Sequence, residues 1–267
     1  MSRMPLGRKV NLPPGRDPSV LFPIRRRPCP VPVHGYDLWR CYELSWLNLR
    51  GRPEAGILEL AYPVTSQSIV ESKSLKLYLG GLAGERFGSA PELEGVLRHD
   101  LANLLTPGWI EVRIIGPRAF SDMMPVERLD GTCLDDLDLA MGDLAGPDPA
   151  LLSIGQNRQE ETLHTELLRT LCPITGQPDW ASVVIGYRGA AMDHGGLLRY
   201  LCSYRNHPGF AEEVCERIYC DIMTRCAPER LLVTCFYTRR GGIDITPHRR
   251  TDPVGPEGVE RKRLVRQ

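Results

Sequence analysis

One cysteine of this chain stands in a setting suited to covalent chemistry. In Leu171-Cys172-Pro173-Ile174-Thr175-Gly176-Gln177-Pro178-Asp179-Trp180 a thiol is followed, across a Thr-Gly-Gln-Pro turn, by an aspartate. A thiolate is the strongest soft nucleophile a side chain offers, and a nearby carboxylic acid can protonate the group it attacks. The turn lets both converge on one small electrophile. Plainer uses exist for each residue: a solitary cysteine commonly packs as a small hydrophobe, and an aspartate after proline commonly belongs to a turn.

A second stretch, Val70-Glu71-Ser72-Lys73-Ser74-Leu75-Lys76-Leu77-Tyr78-Leu79, narrows the choice. Together with the thiol segment it resembles the two hallmark motifs of the nitrile reductases that act on 7-cyano-7-deazaguanine. The likeness runs from Pro5-Leu6-Gly7 through Asp37-Leu38-Trp39 and Tyr42-Glu43-Leu44-Ser45-Trp46-Leu47-Asn48 to Tyr237-Thr238-Arg239-Arg240-Gly241-Gly242-Ile243-Asp244. It thus spans nearly the whole chain and is similar to the two-module branch of the family.

The resemblance implies roles. Cys172 would add to the nitrile carbon to give a thioimide, which accepts hydride more readily than the free nitrile, and Asp179 would donate protons. Two successive hydride transfers would give the aminomethyl product, a step toward queuosine in tRNA. Val70, Glu71, Ser72, Phe210 and Glu212 would contact substrate: a buried carboxylate accepts two N–H donors from one edge of a deazaguanine, and Phe210 would wall the ring. Read without the resemblance, Glu71 suits the first turn of a helix, Glu212 a solvated helix position and Phe210 a core. NADPH would be held outside any Rossmann fold, by Ser72 and Lys73 from one half and Arg240 and Gly241 from the other. Lys73 and Arg240 suit phosphates, and Gly241 permits close backbone approach. No Gly-x-Gly-x-x-Gly follows a strand, Gly80-Gly81-Leu82-Ala83-Gly84 has the wrong spacing, and there is no Walker loop.

One position departs from the family. Phe210-Ala211-Glu212 stands where its members have Phe-His-Glu. An alanine can neither move a proton nor orient a nitrile. Three explanations stay open: a substituted chain that holds the adduct, proton delivery by water or Asp179 alone, or a thioimide resolved by water or ammonia without hydride transfer. A non-catalytic deazapurine binder on the same fold is a further alternative.

Composition bounds these readings. Over 267 residues, 33 basic and 33 acidic side chains cancel. That balance leaves no field to hold a polyanion, so a small molecule is expected rather than nucleic acid. Arg25-Arg26-Arg27 and Arg261-Lys262-Arg263 read as solvated charge. Nine cysteines without a Cys-x-x-Cys pair exclude a zinc ribbon and a disulfide framework. Cys215, Cys220 and Cys226 are expected as reduced thiols in a cytoplasmic protein. Neither a signal peptide nor a membrane span is visible, and no metal is expected.

The elements that must position these groups follow from periodicity. Strands are expected at 41–49, 56–62, 109–115, 161–171, 180–187, 230–237 and 242–245, and helices at 72–82, 90–105, 195–205 and 210–226. Strand, strand, helix, helix, strand, strand occurs roughly twice. The class is α+β: antiparallel sheets, each with two helices on one face, which the resemblance implies are tandem tunnelling folds. The expected organisation is an extended arm over 1–35, modules at 36–140 and 141–250 with an irregular link over 130–158, and a flexible tail over 251–267. Divided cofactor residues point to a homodimer.

Overall fold

The computed structural model describes residues 5, 7 and 11–267, so the parts of the arm at 1–4, 6 and 8–10, including Leu6 of the resemblance, lie outside the described residues. Its elements are β1 (Pro23–Arg25), β2 (His34–Leu47), β3 (Pro53–Pro63), β4 (Ser68–Val70), α1 (Ser72–Gly81), α2 (Ala90–Leu105), β5 (Glu111–Ile115), α3 (Phe120–Met123), β6 (Val126–Glu127) and β7 (Thr132–Cys133). They continue with β8 (Ile154–Leu171), β9 (Pro178–Met192), α4 (His194–Cys202), α5 (Ala211–Cys226), β10 (Arg230–Tyr237), β11 (Ile243–Arg250) and β12 (Arg263–Leu264). The architecture is mixed α+β, built on antiparallel pairing.

Eight strands form one sheet in the order β5-β3-β2-β11-β10-β9-β8-β7. A separate sheet for each half was the sequence expectation; instead β11 runs on to Arg250 and pairs antiparallel with β2, from Ile243↔Cys41 to Arg250↔His34. Each strand would otherwise be an edge with unpaired N–H and C=O groups. The proline and the charges in Ile243-Asp244-Ile245-Thr246-Pro247-His248-Arg249-Arg250 hide this strand from a hydrophobic-alternation reading. The 130–158 link also ends early, because β8 already begins at Ile154.

The four long helices share one face. On α2, Leu93, Leu97, Leu101 and Leu105 recur at helical spacing and are all fully buried. Ser89 caps its start by accepting from the Glu92 N–H at 3.3 Å, and Thr106, left-handed at φ 46°, ends it. Val214, Ile218 and Ile222 form the matching stripe of α5. Two cores result. One packs α1 and α2 on β2 and β3 around Trp39, Leu58 and Leu60; the other packs α4 and α5 on β8, β9 and β10 around Leu163, Val183 and Val233. Between them lies a seam over β2 and β11, where Trp39 and Asp37 sit beside Ile245 and Pro247.

The opposite face of the sheet is covered by residues 251–267. Expected to be flexible, this segment is packed: Val259, Leu264 and Gln267 are buried, and β12 pairs parallel with β6. The reason is on the sheet. Arg40 and Glu59 are buried there and paired at 2.9 Å, and the rest of the Arg40 guanidinium donates to the carbonyls of Arg261 and Lys262. Cys220 also departs from expectation. It forms a disulfide with Cys29 of the arm, whereas Cys215 and Cys226 are free thiols. Folding brings Cys29 across 191 residues to α5, a pairing that no spacing pattern reveals.

Candidate active site

A cavity of about 240 Å³ opens at the seam. It is lined by Val70, Glu71, Ser72 and Lys73 from the start of α1, Cys172 and Asp179 from the β8–β9 turn, Phe210, Ala211 and Glu212 from the start of α5, and Arg240 and Gly241 from the β10–β11 turn. Every site residue expected from the sequence therefore faces one hollow. Residues the sequence reading did not assign to it include Ile24 and Ile69 of the β1–β4 ribbon, Trp39, Tyr237 and Lys76. Trp39 and Tyr237 lay within the likeness, but no spacing rule marks a strand residue as a cavity wall.

Local backbone bonds bring these segments together. The Cys172 N–H donates to the Gln177 carbonyl at 2.8 Å, and the Gly176 N–H closes the turn on the Cys172 carbonyl at 2.9 Å. Gly176 is left-handed at φ +68°, where a side chain would be strained. One residue earlier, the Leu171 N–H donates to the His207 carbonyl at 2.9 Å and the Leu171 carbonyl accepts from the Gly209 N–H at 3.0 Å. This stitch docks the thiol turn against the start of α5. The Cys172 side chain is buried at the cavity wall.

Arg240 joins the two turns. Its guanidinium forms an ion pair with Asp179 and donates to the Gln177 amide oxygen at 2.5 Å. Burial works against the charge on Arg240, but Asp179 and then the Cys172 sulfur outweigh it and push its pKa up. Sequence reasoning placed Arg240 with the cofactor; the structure puts it equally against the expected acid.

Glu71 and Glu212 are both buried, in different ways. Glu71 caps α1: one carboxylate oxygen accepts from the Lys73 N–H at 2.7 Å and the other from the Ser74 N–H at 2.8 Å. Burial still pushes its carboxyl pKa up, against those bonds. The helix-terminus role is thus fulfilled, and the Ser72 side chain bonds the same carboxylate. Glu212 is 3 % exposed and its Oε1 has no hydrogen-bond partner. Burial first, then the charge on Asp37, pushes its carboxyl up to about 8. The indole N–H of Trp39 is likewise buried without a partner. An unsatisfied acceptor and an unsatisfied donor therefore belong to residues lining one hollow, at a cost that a ligand would relieve.

The raised Glu212 carboxyl affects stability with a definite sign. The folded chain holds that proton between about pH 4.5 and about 8, where the unfolded chain has released it. Stability from this group is complete at acid pH and falls as pH rises through that window. Glu212→Gln should flatten this part of the stability–pH curve of the ligand-free protein in urea unfolding; an unchanged slope would mean the carboxyl is not perturbed.

No histidine lines the cavity. His207 sits in an adjoining hollow, edge-on to Tyr204 and 3.5 Å from Arg217, with its pKa lowered by burial and then by that arginine. His194 pairs with Glu161 at 3.1 Å. Neither replaces the imidazole absent at Ala211. Among the described residues no cluster of three or more His, Cys, Asp or Glu could hold a metal, and no helix is long and apolar enough to cross a membrane.

At the cavity mouth Lys73, Lys76 and Arg240 gather positive charge around two consecutive left-handed glycines, Gly241 at φ +56° and Gly242 at φ +77°. Lys76 Nζ donates to the Gly241 carbonyl at 2.7 Å and pairs with Glu43 at 2.9 Å. A Cβ on Gly242 would lie 2.6 Å from the Glu43 side chain. Three cations beside a bare backbone cradle fit a phosphate-bearing cofactor. Gly242→Ala should lower stability by about 1–2 kcal/mol through left-handed strain, read as an earlier urea midpoint.

A buried thiol, an acid tied to an arginine, and two carboxyls around a heterocycle-sized hollow mark a small-molecule site equipped for covalent chemistry. Comparison with known proteins names the family. Residues 16–114 match the nitrile reductase, 7-cyano-7-deazaguanine-reductase N-terminal family, and residues 178–254 match the QueF-like protein family. The chain is 45% identical over 273 residues to the NADPH-dependent 7-cyano-7-deazaguanine reductase of Desulfotalea psychrophila, covering 99% of this chain and 97% of that protein. It is 45% identical to the protein of the same name from Burkholderia multivorans, covering 92% of each. A solved structure, the apo form of the archaeosine synthase QueF-Like, aligns at 16% identity and a TM-score of 0.33 over 38% of this chain and 99% of its own. The chain belongs to the 7-cyano-7-deazaguanine reductase family. Cys172 falls between the two matched stretches and inside the span shared with the full-length relatives.

Proposed function

We propose that this chain reduces the nitrile of 7-cyano-7-deazaguanine to an aminomethyl group with NADPH, through a thioimide on Cys172, in queuosine biosynthesis. The observation that carries the reading is the pairing of a buried thiol with the unpartnered Glu212 Oε1 in one cavity of about 240 Å³. One group can bond the substrate's nitrile carbon and the other its ring edge.

Glu212, with Glu71 across the hollow, accepts the ring N–H and amino donors, while Val70, Ser72 and Phe210 wall the heterocycle. The Cys172 sulfur adds to the nitrile carbon, and the proton that leaves the thiol passes by way of Asp179 to the nitrile nitrogen. Arg240 lies beside both groups. NADPH supplies hydride when bound; Ser72, Lys73, Arg240 and Gly241 are the residues to hold it, through cation–phosphate pairs and exposed backbone. With substrate and cofactor filling the seam, water would be kept from the reacting carbon. On this reading Arg240→Ala raises the NADPH KM by about tenfold or more, since a charge-assisted phosphate contact is worth about 1.5–3 kcal/mol. A steady-state titration of NADPH measures it.

The halves, residues 36–140 and 141–250, are taken as tandem tunnelling folds, and the protein as a cytoplasmic homodimer acting on the free base and not on nucleic acid. Two separate hydrophobic cores and a zero net charge support this. Intact-mass spectrometry with the nitrile, followed by NADPH absorbance, tests the function. An adduct on Cys172 and nitrile-dependent NADPH oxidation are expected. An adduct with no oxidation means the thioimide is trapped or resolved by water or ammonia, in keeping with Ala211. With no adduct, the protein is a passive binder.

A further inference from the structure

Beneath the start of α5 lies a buried charge cluster that no step above uses. Asp37 of β2 is wholly buried and is gripped by two arginines, Arg26 of the arm and Arg249 of β11, the latter at 2.8 Å. Arg249 is itself fully buried; it also pairs with Glu216 of α5 at 3.3 Å and donates to the backbone carbonyl of Glu212 at 3.4 Å. Arg26 is held by a further bond to the Ser66 hydroxyl at 3.1 Å and stacks over Tyr62 of β3. Enclosing this many charges in a core is costly even when they are paired, as these are.

We propose that Asp37 and Arg26, with Arg249 between Asp37 and α5, are positioning residues that set the charge on Glu212 and so make ligand capture release a proton. The inference rests on the reading of Glu212 as acceptor for the ligand's N–H edge. A carboxylate offers acceptors on both oxygens, whereas a carboxylic acid offers a donor where the ligand presents another donor. The ligand therefore selects the ionised form.

The groups facing Glu212 divide by sign. Asp37 opposes its ionisation; Arg26 and Arg249 favour it. Tyr62 of β3 also senses the Glu212 charge, Glu216 lies one turn on along α5, and Glu71 faces it across the cavity. Burial keeps Glu212 protonated in the empty hollow, so that no bare anion is buried there; the Asp37 charge adds to this, and the two arginines that hold Asp37 oppose it. The ligand's donors then take over the role of that proton, which leaves to solvent. Arg26 limits how far Asp37 can push, and it does so from the arm.

The test is calorimetric titration with 7-deazaguanine between pH 6 and 9. This probe keeps the donor edge and lacks the nitrile, so no covalent step intervenes. In the unaltered chain affinity should rise about tenfold per pH unit below the Glu212 midpoint, with a proton released on binding. Asp37→Asn should move that midpoint down by about one unit, and Arg26→Met should move it up by about as much, with Arg26→Lys restoring it. Opposite shifts from two partners of one ion pair are a result that a structural role would not give, since both losses would then weaken binding alike. Should Asp37→Asn fail to fold, Arg26→Met and Arg26→Lys decide alone. If Glu212→Gln keeps the original affinity and profile, the acceptor reading fails. If Glu212→Gln binds weakly and without pH dependence while the Asp37 and Arg26 variants keep the original midpoint, or move it the same way, that reading stands and the present inference is overturned.

Discussion

Cys172→Ala should abolish the proposed covalent adduct with 7-cyano-7-deazaguanine and lower nitrile-dependent NADPH oxidation by on the order of a thousandfold or more, because the cavity offers no nucleophile equal to the sulfur. Its hydroxyl neighbours, Ser72 and Thr238, are far weaker nucleophiles than a thiolate. The substitution should leave stability nearly unaltered. Cys172 sits at a cavity wall, on a turn fixed by backbone bonds that alanine keeps. Equal urea midpoints with a lost mass adduct would assign the effect to chemistry. An alanine chain that still gains the mass of the nitrile would end the thioimide proposal.

Ala211→His raises turnover by about tenfold to a thousandfold, if acid–base help is what the cavity lacks. Ala211 is the first residue of α5, half-buried, and lines the hollow between Phe210 and Glu212. A larger side chain there would project from the wall of that hollow, beside the proposed place of the nitrile. No other imidazole reaches it, since His207 and His194 are committed elsewhere. Single-turnover absorbance on both chains makes the comparison. A rise confined to decay of the adduct, with adduct formation unchanged, would place the missing group in proton transfer during reduction. No gain at any stage would mean that Asp179 or water already suffices and that the alanine has another cause.

The position of Arg240 gives both results a common setting. It ties Asp179 and Gln177 to the β10–β11 turn, so the proposed acid and the proposed phosphate site share one cation. A phosphate drawn to Arg240 competes with Asp179 for it. The proposed cofactor contact at the mouth and the proposed proton transfer at the nitrile thus share one side chain.

Much of the site was legible through the family resemblance, and the two short segments that carry it, Val70 to Leu79 and Leu171 to Trp180, have structure made between near neighbours. Cys172 and Asp179 are joined by a turn whose Gly176 and Pro178 specify its shape, and Glu71 to Lys73 are fixed by the first turn of a helix. The helices α2 and α5 were legible in the residues themselves: leucine and isoleucine stripes at helical spacing report burial on one side. Tertiary structure decided what depends on partners distant in the chain. The union of β2 with β11 into one sheet is invisible in β11 itself, where a proline and buried charges stand in place of apolar alternation. The 251–267 segment is polar and reads as loose until Arg40 and Glu59, buried in the sheet, bind its backbone. The Asp37–Arg249–Arg26 cluster joins the arm and two strands far apart in sequence, and only their meeting shows that these charges are buried. Sequence thus determined the reactive groups and the short segments that aim them, since turns and caps are made between near neighbours. Which charges lose their water, and so which of them acquire altered acidity, was decided only when the strands came together.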